Sequence, residues 1–398
     1  MSRLLKWGAA ALAAAWVGAP ALAEPVVTVG DVPITLGFER QTVVEGLEHP
    51  WSVAWLPNGD MLITERPGRL RLVRDGRLWA APIEGAPEVF ASNQGGLLEV
   101  SVHPRFEETG FVYLTYAHGD LAANTTRVGR GVLDGTRLRD FEVIFETAKP
   151  KPANQHFGSR IAWLDDGTML VSIGDGGNPP VTLDGAFIRE QAQKLDSHWG
   201  KLLRLNDDGS APADNPFIGR EGALPEIWSY GHRHIQGLAI DRASGRVWAT
   251  EHGALGGDEL NRPEAGANHG WPAVSHSREY VGGAPVAAAV SGPGLVDPAA
   301  VWSTAIAPSG LAFYDGDAFP DWRGQLFAGG LITQDVRRLA LSADGAVIDQ
   351  GALRIAQRVR DVRQGPDGFL YVLTDQRAGS LLRLVPTGGG ATAPVAAD

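Results

Sequence analysis

Cysteine is absent from all 398 residues. No disulfide can staple this fold, and no thiolate can act as nucleophile or metal ligand. Any metal would have to be held by oxygen or imidazole. Positive charge is also scarce: 35 Lys and Arg stand against 46 Asp and Glu, a formal charge of −11. Such a surface repels nucleic acid and anionic lipid. Beyond the first two dozen residues, no apolar run is long enough to cross a bilayer. A chain of this length can nevertheless be held by its core alone.

The exception is the opening, MSRLLKWGAAALAAAWVGAPALAEP. Arg3 and Lys6 form a positive n-region, an apolar run follows, and Ala21-Leu22-Ala23 is a small-residue cleavage box. These features predict a signal peptide over residues 1–23, cut before Glu24, with export most simply to a bacterial periplasm. The competing reading is an uncleaved anchor, but the run is short and ends in Pro20. The remaining chain is expected to be soluble, without membrane insertion.

Glycine (51) and tryptophan (12) are plentiful, which points to tight turns and aromatic packing in an all-β protein. One pattern recurs six times: an alternating apolar run, a Gly-bearing turn, and a second alternating run. The copies span 51–73, 95–119, 157–177, 235–253, 309–331 and 359–385. Turns of the Pro-Asn-Gly, Asp-Asp-Gly and Pro-Asp-Gly kind mark them as hairpins. Six units of roughly 60 residues suit four-stranded blades in a ring, a single-domain six-bladed β-propeller over 24–387. Two stacked β-sandwiches are the alternative, but no Pro/Gly/Ser linker divides the chain. Residues 388–398 read as a disordered low-complexity tail, and AFIREQAQKL (186–195) as a helix-like patch on a loop.

Blade loops converge on a propeller's axis, so polar residues at the ends of these repeats can meet. Pairing 161–164 with 169–173 brings His156 and Asp175 to one end of a hairpin. A carboxylate that fixes an imidazole's tautomer makes it a base for a hydroxyl proton; the plainer reading is a turn-capping His and an Asx-turn. In SYGHRHIQGLAID (229–241), Arg233 offers fixed donors to an oxyanion. In EHGALGGDELN (251–261), glycines can turn carbonyls inward while Asp258 and Glu259 add anionic oxygens, a donor set for a hard cation such as Ca²⁺. Zinc is disfavoured, because His232, His234, His252 and His269 lack the helical His-x-x-x-His spacing. Arg358 and Arg360 alternate, with Arg363 beyond, as a clamp needing an anion between like charges; solvated edge arginines are the alternative. Gln94 is a further polar finger at the mouth.

Together the motifs QGGLLEVSVHPRF, NQHFGSRIAW…SIGDGG, KLLRLNDDG, EIWSYGHRHIQGLAID, EHGALGGDELN, GANHGWP and RVRDVRQGPDGFLYVLTD resemble the soluble, pyrroloquinoline quinone (PQQ)-dependent aldose sugar dehydrogenases. The family includes the glucose and sorbosone dehydrogenases. The resemblance covers nearly all of the chain after residue 23, in order, and implies a six-bladed propeller. It implies His156 as general base, Asp175 as its orienting carboxylate and Arg233 beside the reactive quinone carbonyl. By the same resemblance, Gln94, His234, Arg358 and Arg360 surround the PQQ. Gly253 and Ala254 offer carbonyls to its Ca²⁺, and Asp258 and Glu259 belong to the neighbouring calcium-binding loop. Two positions depart from the pattern. Ile332 stands where many relatives have a cofactor-binding lysine, and His234 where the soluble glucose dehydrogenases have Asn.

The resemblance implies oxidation of the C1 hydroxyl of an aldose to the lactone; the electron acceptor is unidentified, and a monomer or homodimer is expected. A calcium-dependent propeller lactonase and a non-catalytic propeller binding protein are the competing expectations.

Overall fold

The structure is a computed structural model that describes residues 25–387; the predicted signal peptide and the 388–398 tail lie outside them. Six sheets of four antiparallel strands follow one another. Blade 1 consists of Pro50–Trp55, Met61–Glu65, Arg69–Arg74 and Arg77–Leu78. Blade 2 consists of Leu97–Val102, Phe111–Gly119, Asn124–Asp134 and Arg137–Glu146. Blade 3 is built from Ile161–Trp163, Met169–Ile173, Lys201–Leu205 and Ile227–Tyr230. Blade 4 uses Ile235–Asp241, Arg246–Glu251, Asp258–Asn261 and Ala300–Trp302. Blade 5 uses Pro308–Tyr314, Gln325–Gly330, Asp335–Leu341 and Val347–Arg354. Their first strands, with that of blade 6 (Val359–Gln364), touch one another in a closed ring around the axis.

Each predicted hairpin forms the inner half of a blade. In blade 3, Ile161 pairs with Val171 and Trp163 with Met169. The turn is fixed because Asp166 Oδ1 accepts the Thr168 N–H at 2.9 Å and Gly167 takes a φ of 83°. Alternate residues fill the wedges between blades: Tyr113, Trp163, Val171 and Trp199 lie in one apolar cluster, and Trp248, Trp302 and Leu326 in another.

Two strands come from the N-terminal segment. Phe38–Leu47 completes blade 6, paired with Gly379–Pro386 outside Leu370–Thr374. Val26–Thr28 adds a fifth, parallel strand to blade 4. The helix-like patch is different from its expectation. Residues 182–187 form a two-stranded ribbon, and Ile188–Gln193 is one stretch of 3₁₀ helix. The buried Lys201 side chain donates to the Gln191 and Ala192 carbonyls at 2.8 and 3.0 Å, tying this stretch to blade 3.

The axis is plugged by charge. Arg160, fully buried, meets Glu99 at 3.0 Å and Asp361 at 2.9 Å. Arg363 joins the same two carboxylates. This plug ties blades 2, 3 and 6 beneath one mouth of the ring, the mouth opposite the Asn58-Gly59 and Asp166-Gly167 turns.

Candidate active site

That mouth is built from residues that precede first strands or follow second strands. His156 precedes Ile161–Trp163 and Asp175 follows Met169–Ile173, so the hairpin register puts them side by side. His156 Nδ1 lies 2.6 Å from Asp175 Oδ1, and both side chains are buried. The remaining acceptor sites of Asp175 are also used: the Trp271 indole N–H donates to Oδ2 at 2.8 Å and the Gly177 N–H to Oδ1 at 3.2 Å. The His156 backbone N–H donates to Gln94 Oε1 at 2.8 Å. His156 adopts a φ of 50°, a strained conformation for a residue with a Cβ and one that collects at working sites.

Burial, reinforced by Arg233, holds the His156 imidazole well below its usual pKa. Burial raises the Asp175 carboxyl to about 6, opposed by Arg233 and the Trp271 donor. At neutral pH the pair is therefore an anionic carboxylate and a neutral imidazole. The proton sits on Nδ1, and Nε2 keeps its lone pair.

Arg233 starts blade 4 beside this pair, its carbonyl accepting the Asp175 N–H at 2.7 Å. Its guanidinium donates to the His252 carbonyl at 3.1 Å and to Asn178 Oδ1 at 2.7 Å. It also lies 5.4 Å from the centre of the Trp271 ring. Its Nε has no partner among the described residues. His234 stacks on His156 with ring centroids 4.7 Å apart and meets His252 edge-on at 5.4 Å. The His156 imidazole, the Arg233 guanidinium and the 251–261 loop thus adjoin at one mouth.

Next to this cluster opens a cavity of about 350 Å³, walled by Trp51, Arg66, Gln94, His234, Ile332 and Arg358 among others. The anion that Arg358 and Arg360 share in the structure is the chain's own: Asp375 lies 3.2 and 2.8 Å from them. Burial alone would raise the Asp375 carboxyl, but the arginines hold it far below the usual range. Three guanidiniums on this wall still outnumber one carboxylate, in a protein of net charge −11. The Arg360 Nε is buried and unpartnered among the described residues. Such a wall suits a ligand with several carboxylates. Arg363 is not part of it: it serves the axial plug.

The 251–261 loop is tightly folded. Asp258 spends both oxygens on backbone donors, Oδ1 on Gly253 N–H and Oδ2 on Ile306 and Ala307 N–H, each at 2.8 Å. A methyl group at Gly253 would overlap the Gly256 and Gly257 carbonyl oxygens, so only glycine lets these oxygens crowd together. The Asn261 side-chain amide donates to Glu251 Oε1 at 2.7 Å and Glu259 Oε2 at 3.1 Å. Burial, and the proximity of Glu251 to Glu259, holds the Glu259 carboxyl above the usual range. An acidic cluster short of positive charge fits a hard cation. Among the described residues no three His, Asp or Glu side chains are arranged around a metal position, so carbonyl oxygens would supply much of the coordination.

Sequence reasoning missed Trp271, Asp375, Arg66, Asn178 and Glu251, which accepts the Arg233 N–H at 2.6 Å. It also missed Lys151, buried with its ammonium 4.3 Å from the Phe157 ring centre. Trp271 sits in the quoted GANHGWP, where no local spacing assigns it a partner, whereas Asp375 ends FLYVLTD and is set beside Arg358 by the register of its own hairpin.

Six blades around one axis, with a buried His–Asp pair, guanidiniums and carboxylates at one mouth, define a β-propeller with a polar axial site. The chain belongs to the Glucose / Sorbosone dehydrogenase family, whose profile matches residues 47–383. It is 40% identical to aldose sugar dehydrogenase YliI of Escherichia coli over 89% of this chain and 94% of that protein. The solved soluble aldose sugar dehydrogenase from Escherichia coli, in its apo-form, superposes with a TM-score of 0.82 at 39% identity, over 88% of this chain and all of the other. The PQQ-bound aldose sugar dehydrogenase from Streptomyces coelicolor gives a TM-score of 0.70 at 28% identity, covering 87% and 98%.

Proposed function

We propose that this chain is an exported, PQQ- and Ca²⁺-dependent dehydrogenase that oxidises the C1 hydroxyl of aldose sugars to the lactone. The observation that carries it is the buried His156–Asp175 pair, 2.6 Å apart, beside Arg233 and an arginine-walled cavity. The Escherichia coli relative named for aldose oxidation and the PQQ-bound relative support the substrate class and the cofactor. The N-terminal signal sequence supports export to the periplasm.

When bound, the quinone supplies the two-electron acceptor for the hydride from the sugar carbon. Arg66, Arg358 and Arg360 would hold its carboxylates, with Gln94 and His234 on the facing wall. The Gly253 and Ala254 carbonyls, with Glu259 in the adjoining loop, would hold the calcium. His156 Nε2 accepts the sugar's hydroxyl proton. Asp175 keeps Nδ1 protonated and stabilises the imidazolium that results, without itself taking the proton. Arg233, fixed by Asn178 and the His252 carbonyl, presents its remaining donors to developing negative charge. Trp51, Leu98 and Phe157 form an apolar wall that limits water.

The test is reconstitution. Purified apoprotein is titrated with PQQ, with and without Ca²⁺, while absorbance and dye reduction with a panel of aldoses are followed. Calcium-dependent uptake of PQQ and sugar-dependent dye reduction are expected. Absence of both would end the proposal, and lactone hydrolysis without quinone would replace it with a hydrolase.

A further inference from the structure

Between the third and fourth strands of blade 4 lies a long insertion, residues 262–299, that folds back over blade 3. Its anchor is Trp271, which is only 7% exposed. The Trp271 N–H donates to the Gly231 carbonyl at 2.9 Å, and its carbonyl accepts from Gln193 Nε2 at 2.7 Å. Gln193 and Asn268 are joined by reciprocal side-chain hydrogen bonds at 3.1 and 2.8 Å. A side chain at Gly231 would collide with Asn268 Oδ1. The backbone of Trp271 is therefore held by the 3₁₀ stretch of blade 3 on one side and by the Gly231 turn on the other.

The side chain points away from these anchors. The indole N–H reaches Asp175 Oδ2 at 2.8 Å, while the ring lies against the Arg233 guanidinium. The insertion also reaches the 251–261 loop, where Ser277 Oγ accepts the Ala254 N–H at 3.1 Å. One indole thus touches the partner of the base and the guanidinium beside it. We infer that Trp271 is a positioning residue: its N–H fixes the Asp175 carboxylate so that Oδ1 holds the His156 imidazole toward the substrate while the ring backs Arg233. This rests on the reading of His156 as the base.

The physical reason lies in acceptor geometry. A carboxylate held only through Oδ1, here by His156 and the Gly177 N–H, can still rock about its Cβ–Cγ bond, and the imidazole rocks with it. A donor on the opposite oxygen removes that freedom, as partners behind an essential group commonly do. The charged and titratable groups facing Asp175 are His156, Arg233 and Lys151, with Glu251 beyond Arg233. Of these, none donates to Oδ2. Loss of the indole N–H leaves that oxygen buried without its donor, which favours the protonated carboxyl.

The test is Trp271→Phe, which keeps a ring against Arg233 and removes the donor. With the reconstituted enzyme, kcat falls roughly 10- to 100-fold, the range for a lost hydrogen bond to a charged group. KM for the sugar stays within about twofold, since the ring and the substrate walls are unchanged. The acid limb of kcat/KM moves to higher pH. In the apoprotein, the downfield Nδ1 proton resonance of His156 broadens or disappears, a readout independent of cofactor loading. In an Asp175→Asn background, Trp271→Phe adds little further loss, because both changes act through the same carboxylate. An unshifted pH profile with an unaltered Nδ1 resonance overturns the inference, as does a full additional loss in the Asp175→Asn background. Failure of the wild-type protein to oxidise any aldose, with the resonance still sensitive to Trp271→Phe, overturns the proposed function instead and leaves the positioning role standing.

Discussion

The two walls of the candidate site are built on opposite principles. On the blade 3 and 4 side, His156, Asp175, Arg233 and Trp271 are buried and bound to one another. On the blade 1 and 6 side, Arg358 is half-exposed and three guanidiniums face an open cavity with one carboxylate among them. The first wall is finished before any ligand arrives; the second carries charge that a ligand can complete. Chemistry needs a base held in one orientation, whereas capture of a polyanion needs donors still free to bind.

Four changes sharpen that contrast, beginning with the largest. His156→Ala is expected to lower kcat by about 10²- to 10⁴-fold, the usual contribution of a general base, while leaving the PQQ titration nearly unchanged. If cofactor affinity collapses along with turnover, the two walls are not separable. Arg360→Ala should show the reverse. PQQ binding weakens roughly 10- to 100-fold for a lost charged hydrogen bond, and kcat at saturating cofactor falls much less. Equal losses in both quantities would count against the division.

The third change is pH. With Asp175 raised to about 6 by burial, kcat/KM should fall on the acid side with an apparent pKa near 6. The sign follows from the pair: below that pH the carboxyl gains a proton and the imidazole loses the anion that fixes its tautomer. His156 itself, held well below its usual pKa, remains neutral in that window. A limb that survives unchanged in Asp175→Asn would have to come from another group. The smallest effect belongs to Ile332, 59% exposed on the cavity wall. Ile332→Lys adds one charge to the open wall, and a partly solvated contact should tighten PQQ binding by only about threefold to tenfold. An effect on the pH profile would show that the walls communicate.

The contrast also explains what could be read from the chain in advance. His156 and Asp175 are brought together by one hairpin, so alternation and the Asp166-Gly167 turn were enough to pair them. The six repeats made the propeller legible for the same reason: each is a local ladder. Partners brought in by a long insertion were not legible: Trp271 reaches Asp175 from 96 residues away. Asp375, by contrast, meets Arg358 and Arg360 from the neighbouring strand of the same hairpin, a placement the register already offered. The closing strand Phe38–Leu47 is mostly exposed, with only Val44 and Leu47 buried, so it lacks the alternation that marks the others. The alternating arginines suggested an anion between them; in the structure that place is taken by Asp375, from the neighbouring strand of the same hairpin.

Blade 6 carries one more consequence. Its outer strand is among the first segments to be made and its other three are the last, so a polypeptide emerging from its N-terminus must leave Phe38–Leu47 without a neighbour until almost everything else exists. Arg358, Arg360 and Asp375 belong to that final blade. The cationic wall, which also needs Arg66 of blade 1, is therefore complete only when the circle shuts.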